Sequence, residues 1–183
     1  CPSMCKCTSE ETILCNRAGL KALPREIASS TTSLNLTNNY LRILTTNTFR
    51  NLTFLHSLWL DGNNLTFLTP GTFHALSRNS RLTYLHANTF RGLLNLISLD
   101  LSHCNIFEIH PLLFSHLPSL ESLDLASNNM RYVPQAFRNL SSLTRLNLYL
   151  NNNQISSISD SAFSYLHKLH FLHLSKNNLS SLP

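Results

Sequence analysis

Four cysteines crowd the start of the chain: Cys1, Cys5, Cys7 and Cys15. Thiols this close support one of two chemistries. They oxidise to a pair of disulfides, or they hold a zinc ion as four thiolates. The Cys-x-Cys pair is tighter than the spacing of structural zinc sites, which favours disulfides and an oxidising compartment. The histidines raise a second metal question, above all "HKLHFLH" with His167, His170 and His173. A spacing of three on a strand and its approach splits neighbouring rings between faces, and the carboxylate upstream, Asp160, is seven residues away. The run reads as surface histidines, and no metal site is assigned. There is no G-x-S-x-G, no H-E-x-x-H, no phosphate loop and no paired-carboxylate motif, so neither catalysis nor a cofactor is expected.

The bulk composition narrows the field further. The chain has 183 residues, 43% of them hydrophobic, and only 13% charged, about half the usual share. Asn, Ser and Thr supply the polar surface instead. A formal charge of +5 is spread along the chain rather than gathered into a basic stripe, so no nucleic acid is expected as partner. No apolar run reaches the length of a membrane span. A chain that begins on cysteines fits a secreted protein whose leader has been cleaved.

What positions the remaining side chains is a repeat. The pattern L-x-x-L-x-L-x-x-N-x-L is met by "TTSLNLTNNYL" at 31–41, "LHSLWLDGNNL" at 55–65, "LISLDLSHCNI" at 96–106, "LESLDLASNNM" at 120–130 and "LHFLHLSKNNL" at 169–179. "LTRLNLYLNNN" starts the same way at 143. A phenylalanine closes each unit, at Phe49, Phe73, Phe90, Phe114, Phe137 and Phe163, with spacings of 24, 17, 24, 23 and 26. The L-x-L core is strand alternation. One strand per unit, stacked side by side, makes a parallel sheet, and each unit buries its leucines only against its neighbours. The chain turns sharply after each strand and leaves backbone groups inside the turn. An Asn side chain carries both donor and acceptor, so Asn39, Asn63, Asn128 and Asn177 are expected to form a buried ladder. Cys104 holds the same slot and is expected to be a buried free thiol.

The pattern resembles the extracellular leucine-rich repeat family in its typical 24-residue subtype, and residues 55–76 meet the full phrase almost completely. The opening "CPSMCKCTSEETILCNRAGLKALP" resembles that family's cysteine-rich N-terminal cap. The resemblance implies an α/β solenoid: a right-handed curved horseshoe with a parallel concave β-sheet and a mostly irregular or 3-10 convex side. It implies a cap over residues 1–30 and repeats over 31–183, about six of them. It also implies the pairing Cys1–Cys7 and Cys5–Cys15. The family's C-terminal cap is absent, and the sequence stops in mid-repeat at "NNLSSLP", as a piece of a longer chain would.

Two stretches depart from the pattern. The unit from Phe73 to Phe90 is short; a strand is missing there, the superhelix is locally broken, or residues are missing from the sequence. Conversely, "LNLYLNNNQI" at 146–155 carries two extra residues, read as a bulge after the strand.

The solvent-facing positions of such a sheet supply the candidate binding residues. Between the strand leucines stand Asn35, Trp59, Asp100, Asp124, Asn147 and His173, flanked by Asp61, Arg145, Tyr149, Phe171 and Lys176. Trp59, Tyr149 and Phe171 are costly to leave in water, and aromatic and Arg side chains are the usual anchors of interfaces. Asp61, Asp100 and Asp124 form an acidic strip that would orient a partner. Acceptor motifs for N-glycosylation occur at Asn35, Asn51, Asn64, Asn139 and Asn178. Asn51 and Asn139 share the phrase "FRNL" on the outer side and are favoured; a sugar on Asn35 would sit on the concave face. The expected function is non-enzymatic recognition of a protein ligand or co-receptor by a secreted or cell-surface receptor or adhesion protein. The alternative is a matrix proteoglycan core binding collagen or sulfated glycans.

Overall fold

The computed structural model of the protein describes residues 1–42, 44, 48–65, 89–106, 109, 112–133, 137, 146–159, 162–163 and 169–181. Among these residues the strands form an eight-stranded sheet in simple sequence order. The strands are β1 (Lys6–Cys7), β2 (Thr12–Leu14), β3 (Ser33–Asn35), β4 (Ser57–Trp59), β5 (Ser98–Asp100), β6 (Ser122–Asp124), β7 (Leu146–Tyr149) and β8 (Leu169–His173). β1 and β2 make an antiparallel hairpin, and every later neighbour is parallel. The solenoid architecture is the one the leucine spacing predicts. On the back, Leu113–His116 is a single 3-10 turn.

Each of β3 to β6 buries its central leucine and half-exposes the residues on either side, because successive side chains leave a strand on opposite faces. Leu34, Leu58, Leu99, Leu123 and Leu148 face one interior and are essentially inaccessible. Leu172 is partly buried against the same core. On the other side of that interior, Phe49 stacks on Phe90 with ring centroids 6.1 Å apart, and Phe114 meets Phe137 at 6.2 Å. A solenoid of this kind owes its stability to such coil-on-coil burial, at about 1.5–3 kcal/mol per fully buried side chain.

At the N-terminal end the hairpin lays Ile13 and Cys15 on the core. Disulfides join Cys1 to Cys7 and Cys5 to Cys15. β2 pairs with β3 as Ile13↔Leu34, so the first repeat strand presents no bare edge.

The two irregular stretches resolve differently from each other. β4 pairs directly with β5, Leu58 against Leu99, although these leucines stand 41 positions apart. The other facing leucines are 24 or 25 apart. β4 and β5 are therefore direct neighbours, and among the described residues the sheet continues from one to the other with no strand between them. The stacking of Phe90 on Phe49 says the same of the back. Between Leu65 and Thr89 the chain has 23 residues, where the coil before uses six between Leu41 and Thr48. Phe73 and the first part of the short unit lie outside the described residues.

The second irregularity corrects the sequence reading. Leu146, Leu148 and Leu150 alternate, so two registers are open to them. The sheet pairs Leu123 with Leu148, not with Leu146, and Asp124 with Tyr149. Asn153 then fills the amide slot and Ile155 the leucine slot after it, both buried. Nothing is inserted after the strand. A bulge does occur one strand later: Leu146 faces Leu169 and Asn147 faces Phe171, which leaves His170 as the extra residue of β8.

Candidate interaction surface

The ladder that fixes the strand ends also fixes the surface. Asn128 is 4% exposed. Its Nδ2 donates to the carbonyls of Leu101 at 2.9 Å and Leu125 at 3.0 Å, while its Oδ1 accepts from the N–H groups of Cys104 and Ile106. One side chain thus joins its own coil to the coil before. Asn39, Asn63, Asn153 and Asn177 repeat the arrangement. Cys104 keeps half of it: Sγ donates to the carbonyls of Leu60 at 3.1 Å and Ser102 at 3.3 Å. Burial pushes that thiol up to about 12. Asn153 is the rung sequence reasoning missed; the signal was Asn153-Gln154-Ile155 following Leu148-Tyr149-Leu150.

A second regularity was not legible at all. The residue before each rung lies in the left-handed region: Asn38, Gly62, His103, Ser127, Asn152 and Lys176, with φ between 53° and 73°. Only one is a glycine. The turn is imposed by the ladder, at an order of 1 kcal/mol per non-glycine residue.

With strand ends fixed, the open face consists of three rows of side chains running across the strands in register. One row is Ser33, Ser57, Ser98, Ser122, Asn147 and Phe171. The middle row is Asn35, Trp59, Asp100, Asp124, Tyr149 and His173. The third, one step further along each strand, holds Thr37, Asp61, Ser102, Ala126, Asn151 and Ser175. The expectation that Asn147 stands between the strand leucines in the middle row is corrected here: Tyr149 takes that place, because Leu148 rather than Leu146 is the facing leucine. Arg145 lies outside the described residues.

Aromatic residues gather on β7 and β8. Tyr149 and Phe171 have ring centroids 5.3 Å apart, and the His173 ring stands edge-on to both at 6.4 and 6.2 Å. The Ser175 hydroxyl lies 2.6 Å from His173 Nε2. Phe171 is 47% exposed. The next strands carry the acids. Asp124 Oδ1 accepts from the Ala126 N–H, Asp100 Oδ1 from the N–H and hydroxyl of Ser102, and Asp61 Oδ1 from the Thr37 hydroxyl. Burial raises the Asp61 and Asp124 carboxyls above the ordinary range, and the charge on Asp100 raises both further. His103, absent from the sequence-level site, offsets this slightly for both.

Asn51, Asn64 and Asn178 are exposed, Asn35 is half-buried with its Oδ1 accepting from the Thr37 N–H, and Asn139 lies outside the described residues. Among the described residues no group of three His, Cys, Asp or Glu is placed to hold a metal, and no helix is long and apolar enough to cross a membrane.

Models of the leucine-rich repeat match residues 54–76, 75–130 and 95–149. The chain belongs to the extracellular leucine-rich repeat family. It is 35% identical to mouse (Mus musculus) nyctalopin over 155 residues, covering 79% of this chain and 33% of nyctalopin. It is 31% identical to human (Homo sapiens) podocan-like protein 1 over 192 residues, covering 100% of this chain and 36% of the relative. The chain thus spans about a third of the length of these curated relatives. Among solved structures, a leucine-rich repeat horseshoe, TLR13 in complex with ssRNA13, superposes with a TM-score of 0.63 at 30% identity, over 89% of this chain and 24% of that one. The relatives are extracellular leucine-rich repeat proteins, and the disulfides fit the same oxidising side of the membrane.

Proposed function

We propose that this leucine-rich repeat chain is a non-enzymatic protein-recognition module, part of the ectodomain of a secreted or cell-surface receptor or adhesion protein, and that it grips a protein ligand on its concave sheet. Residues 1–30 serve it as a cap and the repeats carry the binding. The supporting observation is the in-register middle row, where Trp59, the Asp100–Asp124 pair, Tyr149 and His173 stand side by side on five consecutive strands. A rigid sheet holds these groups at about 5 Å steps, so little entropy is lost when a partner docks. The test is a binding panel of cell-surface and matrix proteins screened with the wild-type chain and with Trp59→Ala/Tyr149→Ala. The reading expects the protein ligand to be lost by the double variant and retained by Phe54→Ala, an exposed residue off the sheet. A ligand held equally by all three chains contradicts it.

One feature favours the matrix alternative. An open cleft of about 460 Å³ on the flank is bordered by the exposed cations Arg131 and Lys176 and the amides of Gln154 and Asn178. Retention on heparin that is abolished by Arg131→Glu/Lys176→Glu supports a sulfated-glycan role; retention unaffected by it removes this cleft from consideration.

A further inference from the structure

Resting on the concave-face reading, we propose that the ligand segment this sheet takes is basic and arginine-bearing. Its guanidinium sets its fork against the Asp100–Asp124 pair and its face on the adjoining Tyr149 ring, and its neighbouring apolar side chain lies on Phe171 beyond.

The placement of charge carries the inference. The chain is cationic overall, at +5, yet three of its four aspartates stand on this one face. No lysine or arginine occupies any described position of the three rows. Asp100 and Asp124 are direct partners on adjacent strands, and Asp61 stands two residues beyond Trp59, just past the end of the strand before. Like charges on neighbouring strands oppose one another, so they cost the fold stability and reward an incoming cation. The bonds that hold these carboxylates among the described residues all fall on Oδ1, which leaves acceptor capacity on the second oxygen of each.

The aromatic pad is the independent half. Asp124 pairs directly with Tyr149, so the acidic strip ends where the rings begin. A group that meets carboxylates in their plane and also lies flat on an aromatic ring is a guanidinium. Its fork donates two N–H bonds to a carboxylate and its face stacks, whereas an ammonium is a strongly hydrated point charge. A sulfated glycan is repelled by the same three carboxylates, so the two ligand classes are sorted onto different surfaces of the molecule.

The experiment uses the whole chain and three probes: a short labelled peptide with two arginines flanking a tyrosine, its lysine counterpart, and a heparin oligosaccharide. Fluorescence anisotropy is read across a salt series for wild type, for Asp124→Asn alone, for Asp100→Ser/Asp124→Asn, and for Glu10→Gln/Glu11→Gln as an acidic control on the cap. The single Asp124→Asn change is isosteric and keeps the bond to the Ala126 N–H, so it guards against misfolding. The expected result is that the arginine peptide binds wild type about tenfold tighter than the lysine peptide and loses about tenfold or more in the double Asp variant. The control should bind as wild type does, and the heparin oligosaccharide, labelled and read by itself, should bind the double Asp variant no more weakly than wild type. Unchanged peptide binding in both Asp variants, equal binding of the two peptides, or loss of heparin binding in the double Asp variant overturns the inference. If the Asp variants change nothing while Trp59→Ala/Tyr149→Ala still abolishes capture of the protein ligand, the basic-segment inference falls and the concave-face reading stands. If neither set changes binding, both fall.

Discussion

Replacing Asn128 by Ala removes one side chain and leaves three buried backbone groups without their partner. The N–H groups of Cys104 and Ile106 lose Oδ1, and the Leu101 carbonyl loses Nδ2. Two other carbonyls are spared: Leu125 still receives Asn153 Nδ2, and Ala126 still receives the His103 N–H. Each buried orphan costs about 1–3 kcal/mol. With water able to enter the space vacated by the amide, the lower part of that range applies, and the sum is about 3–5 kcal/mol. That is a large fraction of the total stability of a typical domain. The assay is urea unfolding followed by far-UV circular dichroism at pH 7. Asn129→Ala is the control, since it is exposed and, among the described residues, its side-chain amide bonds Asn105 on the surface. The control should cost less than about 0.5 kcal/mol. If Asn128→Ala costs no more than Asn129→Ala, the turn does not depend on the ladder and the reasoning is wrong.

Three further outcomes follow from the same geometry. Cys104→Asn should raise the urea midpoint by putting an amide oxygen, a stronger acceptor, where Sγ now faces the Asn63 N–H, worth about 1 kcal/mol, and the native thiol, pushed up to about 12, should resist a thiol reagent at pH 8 until the chain is unfolded. Asp124 has a folded carboxyl held above its unfolded value of 3.8, so its charged form costs the fold stability above the folded value. Asp124→Asn should therefore raise the melting temperature at pH 7, and the gain should shrink as pH falls through the folded value and vanish below the unfolded one. Gly62→Ala should destabilise by on the order of 1 kcal/mol, because φ 73° lies in the left-handed region that a residue with a side chain rarely adopts, and the added Cβ must also displace the Asn38 side chain; loss of stability in thermal melts checks this, and an unchanged melt refutes it.

Much of the scaffold is legible in the sequence because two periods are superimposed on it. Period two within L-x-L fixes which face is buried, and the recurrence near 24 fixes which leucines meet. The amide slot at 39, 63, 128 and 177 is equally readable, since only a side chain with donor and acceptor satisfies a tight turn. Legibility fails where the signal is degenerate. Three alternating leucines at 146, 148 and 150 offer two registers, and the choice is made downstream by Asn153 and Ile155. It fails again at Ser127 and Lys176, whose left-handed backbone runs against their own type, whereas Asn38, His103 and Asn152 are types that tolerate it without announcing it. The composition of the open face was readable in kind, as aromatics and acids. Its order was not, because moving Tyr149 into the middle row depends on that same register. The direct pairing of β4 with β5 is a tertiary fact that the spacing of 17 left as one of three readings.

If ligand is held on the open sheet face, a bulky group placed on that face must displace it. Asp100→Asn converts residues 100–102 into an N-x-S acceptor motif at the centre of the middle row, so expression in a glycosylating cell places a bulky sugar on the face itself. With occupancy verified by mass spectrometry, the glycosylated variant should lose the protein ligand that wild type captures, and enzymatic removal of the sugar should return much of the binding. Ligand held at wild-type affinity with the sugar in place would contradict the account.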